Sequence, residues 1–220
     1  LLHRGKVRDI FDIDNNNMLI VTTDRLSAFD VVFDQPIPEK GMILTSIANY
    51  WFQKTEHIVQ NHLTGISLEE VLSKNEAEML AGRAIVVKKL RPLAIEAVVR
   101  GYLIGSGWKE YLSSGMVCGI PLPQDMRLAQ QLLMPLYTPS SKAGVGEHDA
   151  NISFKETETI VGSALASQIK DVSLKIYQFA AEHAFSCGII IADTKFEFGL
   201  DEDNQLTLMD EVLTPDSSRF

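Results

Sequence analysis

Cysteine is scarce in this chain, and nothing pairs it. Of 220 residues only Cys118 and Cys187 are cysteines, far apart and in no CxxC spacing, so neither a zinc cluster nor a disulfide framework is indicated. A reduced cytosol suits such a chain, and a cytoplasmic protein is expected. No apolar run approaches the roughly 18 residues of a membrane span, and the amino terminus lacks the pattern of a signal peptide. Basic charge is also short, with 20 Lys and Arg against 29 Asp and Glu and a formal net charge of −9. That balance excludes the broad basic surface of a nucleic-acid or membrane binder, so any anionic ligand must meet local clusters of cations. The phosphate fingerprints GxxxxGK[ST] and GxGxxG are absent, and so is the GxSxG elbow of serine hydrolases.

With 45% hydrophobic residues, the chain can bury a sizeable core as one large domain or two lobes. Val7 to Thr22 reads as a hairpin around the turn-forming Asp14-Asn15-Asn16-Asn17. Ile43 to Ile58 reads as a helix with Ile43, Ile47, Tyr50, Trp51 and Ile58 at helical spacings. Ser67-Leu68-Glu69-Glu70 opens a short helix, and Ala84-Ile85-Val86-Val87 is a buried strand that ends before Pro92. Glycines and prolines between Gly101 and Gly146 predict a loop-rich middle third. Ser153 to Glu156 is a capping box for one long helix carrying Ile169, Val172, Ile176, Phe179 and Ala180, which Gly188 ends. No repeat, low-complexity tract or linker interrupts this order, and hairpins mixed with a few helices predict an α+β fold.

The densest chemistry lies near the carboxyl end. Ile189 to Gly199 reads as one strand, which places Asp193, Lys195 and Glu197 on one face and Thr194, Phe196 and Phe198 on the other. After a turn-rich Gly199 to Asn204, a second strand, Leu206 to Val212, carries Asp210 and Glu211. Acids on both arms of a hairpin suit a hard cation with nucleotide phosphates, and equally a solvated face with an internal salt bridge. Near the amino terminus, His3-Arg4-Gly5-Lys6-Val7-Arg8-Asp9 packs a glycine among cations, either a phosphate loop or a basic surface turn. Arg100 and Ser106 flank a glycine-rich stretch ending at Trp108, and Arg219 lies beside Asp216. Each arginine is able to clamp a phosphate or carboxylate. His148, in the polar run Thr138 to Asp149, has no accompanying triad motif.

In order, Gly5-Lys6-Val7-Arg8-Asp9, Thr23 to Asp30, Gly41 to Thr45, Val99 to Tyr102, Gly146-Glu147-His148-Asp149, Asp193 to Gly199, and Asp210-Glu211 with Pro215 to Arg219 closely resemble the phosphoribosylaminoimidazole-succinocarboxamide synthase, or SAICAR synthetase, family of purine biosynthesis. The resemblance covers essentially the whole chain. It implies a two-lobed α+β fold, ATP-grasp-like, with mainly antiparallel sheets, flanking helices and an ATP cleft between lobes, divided as residues 1–90 and 91–220. It also implies an ATP-dependent ligase that joins carboxyaminoimidazole ribonucleotide to L-aspartate through an acyl phosphate, with ATP and Mg²⁺.

By the same resemblance, Gly5, Lys6 and Arg8 would cover the ATP phosphates, and the backbone from Lys88 to Leu90 would border adenine. Glu197 and Asp210 would hold the metal, Lys195 would face the phosphates and Asp193 would orient it. Arg100, Ser106, Asp216 and Arg219 would hold the ribonucleotide, while Asp30, His148 and Asp149 would border the aspartate or imidazole part of the cleft. Ala48, Gly144 and Ala150 depart from the family, which has serine near the first and glutamates near the others, and the family usually continues past the position of Phe220 into another helical stretch. Two other readings are a nucleotide-binding fragment that does not turn over, and a small-molecule kinase whose product needs no aspartate.

Overall fold

The computed structural model describes residues 1–28, 31–142 and 150–220. At the amino end β1 (His3–Arg4), β2 (Arg8–Asp12) and β3 (Asn17–Thr22) form an antiparallel meander, with Asp12 opposite Met18 across the expected turn. The Asp14 carboxylate accepts from the N–H groups of Asn16 and Asn17, each at 2.7 Å, so the side chain supplies the turn's hydrogen bonds. A short pair, β4 (Ser27–Ala28) and β5 (Val31–Val32), precedes α1 (Lys40–Thr55), α2 (Leu68–Val71) and α3 (Lys74–Leu80). Ser67 with Glu70 and Ser73 with Glu76 form capping boxes for the two short helices. Then β6 (Ala84–Lys88) pairs with β3 and completes a four-stranded sheet.

An eight-stranded sheet follows, built by β7 (Arg91–Pro92), β8 (Ile95–Tyr102), β11 (Gln131–Tyr137), β12 (Ser140–Ser141), β13 (Ala150–Asn151), β14 (Asp193–Leu200), β15 (Leu206–Met209) and β16 (Ser218–Arg219). All its ladders are antiparallel. Inserted are α4 (Gly105–Ser114), the small hairpin β9 (Met116–Val117) with β10 (Ile120–Pro121), and the helices α5 (Phe154–Val161) and α6 (Ser163–Ser186). The architecture is α+β. Its main core joins Trp51 and Phe52 of α1, Ile95, Ala97 and Val99 of β8, Ile169, Ile176 and Ala180 of α6, and Phe196 and Phe198 of β14. Residues 61–63 tie the two sheets together. The His62 N–H donates to the Leu208 carbonyl of β15 at 3.1 Å, and its own carbonyl accepts from Lys88 N–H of β6 at 2.8 Å. Among the described residues no helix is long and apolar enough to cross a membrane.

Several local expectations are corrected. The strand expected from Ile189 starts at Asp193: Gly188, at φ 79°, closes the end of α6, and Ile189 N–H returns to the Ala184 carbonyl. The strand expected to reach Val212 stops at Met209, because Asp210 takes a left-handed φ of 67°. Helix α1 buries Leu44, Ala48, Trp51, Phe52 and Thr55, whereas Ile43 and Tyr50 are exposed. Of the expected stripe, Trp51 is in the core and Ile47 and Ile58 pack against it, so only Ile43 and Tyr50 turn outward. The expected single long helix is two, broken at Gly162 with φ 86°, and the Ser153–Glu156 box caps α5. The stretch from Gly101 on, expected as loops, holds the last two residues of β8 together with α4, the β9–β10 hairpin, β11 and β12. Pro92 enters a second ladder, opposite Gly199.

Candidate active site

Strand alternation sorts β8 and β14 into a core face and a site face. Val99 and Ala97 face the core opposite Thr194 and Phe196, which leaves Glu96, Val98 and Arg100 on the same side as Asp193 and Lys195. Register then decides the contacts. Asp193 lies opposite Arg100 of β8 on one edge of β14 and opposite Arg219 of β16 on the other. Its Oδ2 accepts from Nη1 of both arginines, each at 2.8 Å. Arg100, only 3% exposed, also donates to Thr138 Oγ1 at 3.0 Å and Ser106 Oγ at 2.9 Å. Burial lifts the Asp193 carboxyl above its ordinary range, although Arg219 and Arg100 pull it the other way.

Glycine makes room for both guanidinium groups. A Cβ on Gly105 would lie 2.1 Å from Arg219 Nη1, and one on Gly107 would lie 3.1 Å from Arg100 Cδ and Nε. Gly105 has φ +59°, so it turns the chain from β8 into α4 in a conformation that side chains resist. Together Glu96, Arg100, Ser106, Asp193, Lys195 and residues 215–219 line a cavity of about 380 Å³.

A second cavity of about 550 Å³ abuts the first and shares Lys195, Pro215 and Asp216 with it. Lys6, Val7 and Arg8 approach from the small sheet, and Lys195, Glu197, Asp210 and Glu211 from the large one. Every carboxylate here has a cation. Arg8 donates to Asp210 at 2.5 Å and pairs with Glu211, Lys142 reaches Glu197 at 2.7 Å, and Lys195 reaches Glu96 at 2.6 Å and Glu197 at 3.6 Å. Burial works against the Lys195 charge, but Glu96 first and Glu197 next outweigh it and hold the ammonium above the ordinary lysine range. It therefore stays protonated at neutral pH and serves as a fixed cation rather than a base. Asp216 is held by Lys40 at 2.6 Å from the start of α1.

Of the residues singled out in the sequence, Arg100, Ser106, Asp193 and Arg219 form one hydrogen-bonded cluster. Lys6, Arg8, Lys195, Glu197 and Asp210 line the second cavity with Asp216. Gly5 supports that cavity from behind, its N–H donating to the Arg8 carbonyl at 2.8 Å. Lys88 and Leu90 border a separate cavity of about 390 Å³ with Asn16, Asn17 and residues 201–203. Asp30, His148 and Asp149 lie outside the described residues. Sequence reasoning missed Glu96, Lys142, Lys40 and Arg25. Glu96 had left a signal, since it and Arg100 are the two charges on alternate positions of an otherwise apolar strand.

A family model described as SAICAR synthetase matches residues 1–220. The phosphoribosylaminoimidazole-succinocarboxamide synthase of Cupriavidus necator is 60% identical over 220 residues, which is all of this chain and 73% of that protein. The protein of the same name from Neisseria meningitidis serogroup B is 59% identical over 219 residues, spanning 100% of this chain and 76% of its own length. Among solved structures, the SAICAR synthase of Saccharomyces cerevisiae complexed with SAICAR superimposes with a TM-score of 0.92 at 42% identity, covering 100% of this chain and 75% of that one.

Proposed function

The chain belongs to the SAICAR synthetase family, and from that premise we propose how its residues divide the work. It is an ATP-dependent ligase that joins carboxyaminoimidazole ribonucleotide and L-aspartate into SAICAR in purine biosynthesis. The observation that carries the residue assignment is the pair of abutting cavities, one built around two arginines and the other around Lys6, Arg8 and Lys195. In our reading the first takes the ribonucleotide and the second the phosphates of ATP.

Arg100, Ser106, Asp216 and Arg219 hold the ribonucleotide, the exposed Arg219 fork being free on one side to meet a phosphate. Gly5, Lys6 and Arg8 hold the ATP phosphates, with Lys88 and Leu90 toward adenine. Asp193, expected to orient Lys195, pairs with both arginines, and in our reading it fixes them in place while Glu96 and Glu197 orient the lysine. Asp30, His148 and Asp149 remain assigned to the aspartate or imidazole end. We read residues 1–90 and 91–220 as two lobes, a division supported by the break between the two sheets. A cytoplasmic site of action belongs to the same proposal.

The carboxylates fit Mg²⁺. Among the described residues no cluster of three or more His, Cys, Asp or Glu forms a cage. Mg²⁺ does not need one, because it takes one or two protein carboxylates and completes its shell with substrate phosphates and water. Glu197 and Asp210 would hold it, and when bound it supplies charge neutralisation at the phosphates.

A carboxylate is a poor electrophile. In the first step its oxygen attacks the γ-phosphorus, the bond to the bridging oxygen breaks, and ADP leaves. In the second the aspartate amine attacks the acyl carbon, phosphate departs with that oxygen, and the amine proton is released. Negative charge accumulates in both steps, and Lys195, held protonated by Glu96, stands where the cavities meet to offset it. The reading of a nucleotide-binding fragment without turnover is not favoured. The test is ¹⁸O placed in the ribonucleotide carboxylate: label appearing in inorganic phosphate supports the acyl phosphate. Amide formed with unlabelled phosphate overturns that route.

A further inference from the structure

The loop Gly5–Arg8 is short, and a loop that binds phosphate through its backbone must present N–H groups rather than carbonyls. In a trans peptide the two point to opposite sides. Whatever holds the carbonyls of this loop therefore decides where its N–H groups point.

Three consecutive carbonyls are held by one neighbouring segment. Arg25 Nη2 donates to the Gly5 carbonyl at 3.1 Å and Arg25 Nε to the Lys6 carbonyl at 3.0 Å. The Val7 carbonyl accepts from Thr23 N–H at 2.9 Å and from Thr23 Oγ1 at 2.7 Å. The guanidinium is anchored in turn by Asp9, with Nη2 to Oδ1 at 2.7 Å and Nη1 to Oδ2 at 3.2 Å. Those hydrogen bonds hold the Asp9 carboxyl below its usual range. Arg25 does not line the 550 Å³ cavity, whereas Lys6, Val7 and Arg8 do. It stands behind the loop.

We propose that Arg25 is a positioning residue for ATP, whose fork draws the Gly5 and Lys6 carbonyls away from the cleft and thereby turns the Lys6 and Val7 N–H groups to the opposite side. The inference rests on the assignment of this loop to the ATP phosphates. Arginine is required because one planar group serves two carbonyls and a carboxylate at once. A lysine ammonium keeps the charge at Asp9 but lacks the fixed fork that spans both carbonyls.

The experiment measures ATP binding by calorimetry and KM for ATP and for the ribonucleotide in Arg25→Gln, Arg25→Lys and Asp9→Asn. Arg25→Gln should weaken ATP binding about 10-fold or more, since charge-assisted hydrogen bonds to the loop are lost. Arg25→Lys should fall between it and wild type, and the ribonucleotide KM should stay within about twofold, because its pocket is built on other strands. Asp9→Asn keeps the shape while loosening the anchor, so it should shift ATP in the same direction by less, and it carries the test if Arg25→Gln unfolds. ATP binding unchanged in the variants, or equal losses for both substrates, would overturn the role of Arg25. Wild-type protein that binds no ATP would instead overturn the assignment of the loop, and this inference with it.

Discussion

His62 is fully buried at the joint between the two sheets, its ring 5.0 Å from that of Phe52, and neither ring nitrogen has a hydrogen-bond partner among the described residues. Burial, and then the neighbouring positive charge of Arg8, push its pKa down from 6.5 to about 3. The native state therefore takes only neutral His62, whereas the unfolded chain protonates near its ordinary value. A depressed folded pKa gives stability that is complete above the unfolded pKa and is lost as pH falls below it. Here the loss begins near pH 6.5 and runs toward pH 3. The slope is about 1.4 kcal/mol per pH unit, which amounts to about 2.7 kcal/mol by pH 4.5. Against a typical margin of about 5–15 kcal/mol, that is a large share for one side chain. Carboxylates held below their ordinary range, such as Asp9 and Asp24, act at lower pH, whereas the raised Asp193 carboxyl takes up its proton in the folded state before the unfolded one and so opposes the histidine slope. The assay is urea unfolding at intervals from pH 7.5 to 4.5, with wild type beside His62→Leu. Leucine removes two unpartnered nitrogens, so the variant should retain its stability at pH 7.5 within about 1 kcal/mol and lose most of the acid slope. The same slope in both proteins would show that His62 is not the group responsible.

Glu197→Gln and Asp210→Asn should each cut turnover by about 100-fold with the unfolding midpoint little changed, because size is preserved while a ligand charge is removed. Near-normal rates at limiting Mg²⁺ would take that residue out of the metal site. Gly105→Ala places a Cβ 2.1 Å from Arg219 Nη1 at φ +59°. The fold should lose only about 1–2 kcal/mol, because the obstructed group is the end of a flexible side chain. The ribonucleotide KM should rise about 10-fold with the ATP KM unchanged, a split that steady-state kinetics would test.

The elements written in local terms were legible in the chain. The turn at Asp14–Asn17, the capping boxes at Ser67 and Ser153, the helix stop at Gly188 and the alternation of Asp193, Lys195 and Glu197 all depend on residues within a few positions of one another. Motif order identified the family and its candidate residues, because each motif keeps its residue types whatever the packing around it. Contacts between distant segments left little local trace beyond the charges of Glu96 and Arg100 on an apolar strand. The glycines from Gly101 to Gly107 read as a loop, yet Gly105 and Gly107 are small because Arg219 and Arg100 occupy the space beside them. The apolar spacing from Ile43 to Ile58 put Ile47, Trp51 and Ile58 on the core side but also included the exposed Ile43 and Tyr50, since periodicity in a helix with hydrophobic residues on several sides does not fix the edges of the buried face.

What the sequence determined by itself was therefore which chemical groups exist and which share a strand face or a helix turn. Only the tertiary structure decided which charges meet. Antiparallel register sets Asp193 between Arg100 and Arg219, brings Glu96 to Lys195, and lets Arg25 hold a loop about 20 residues away in the chain. Register is fixed by burial of the opposite faces: sliding either strand by one residue would send Phe196 and Ala97 into the cleft and Lys195 into the core. The hydrophobic side of the sheet thus aligns the polar side, and the site takes its geometry from residues that never touch a substrate.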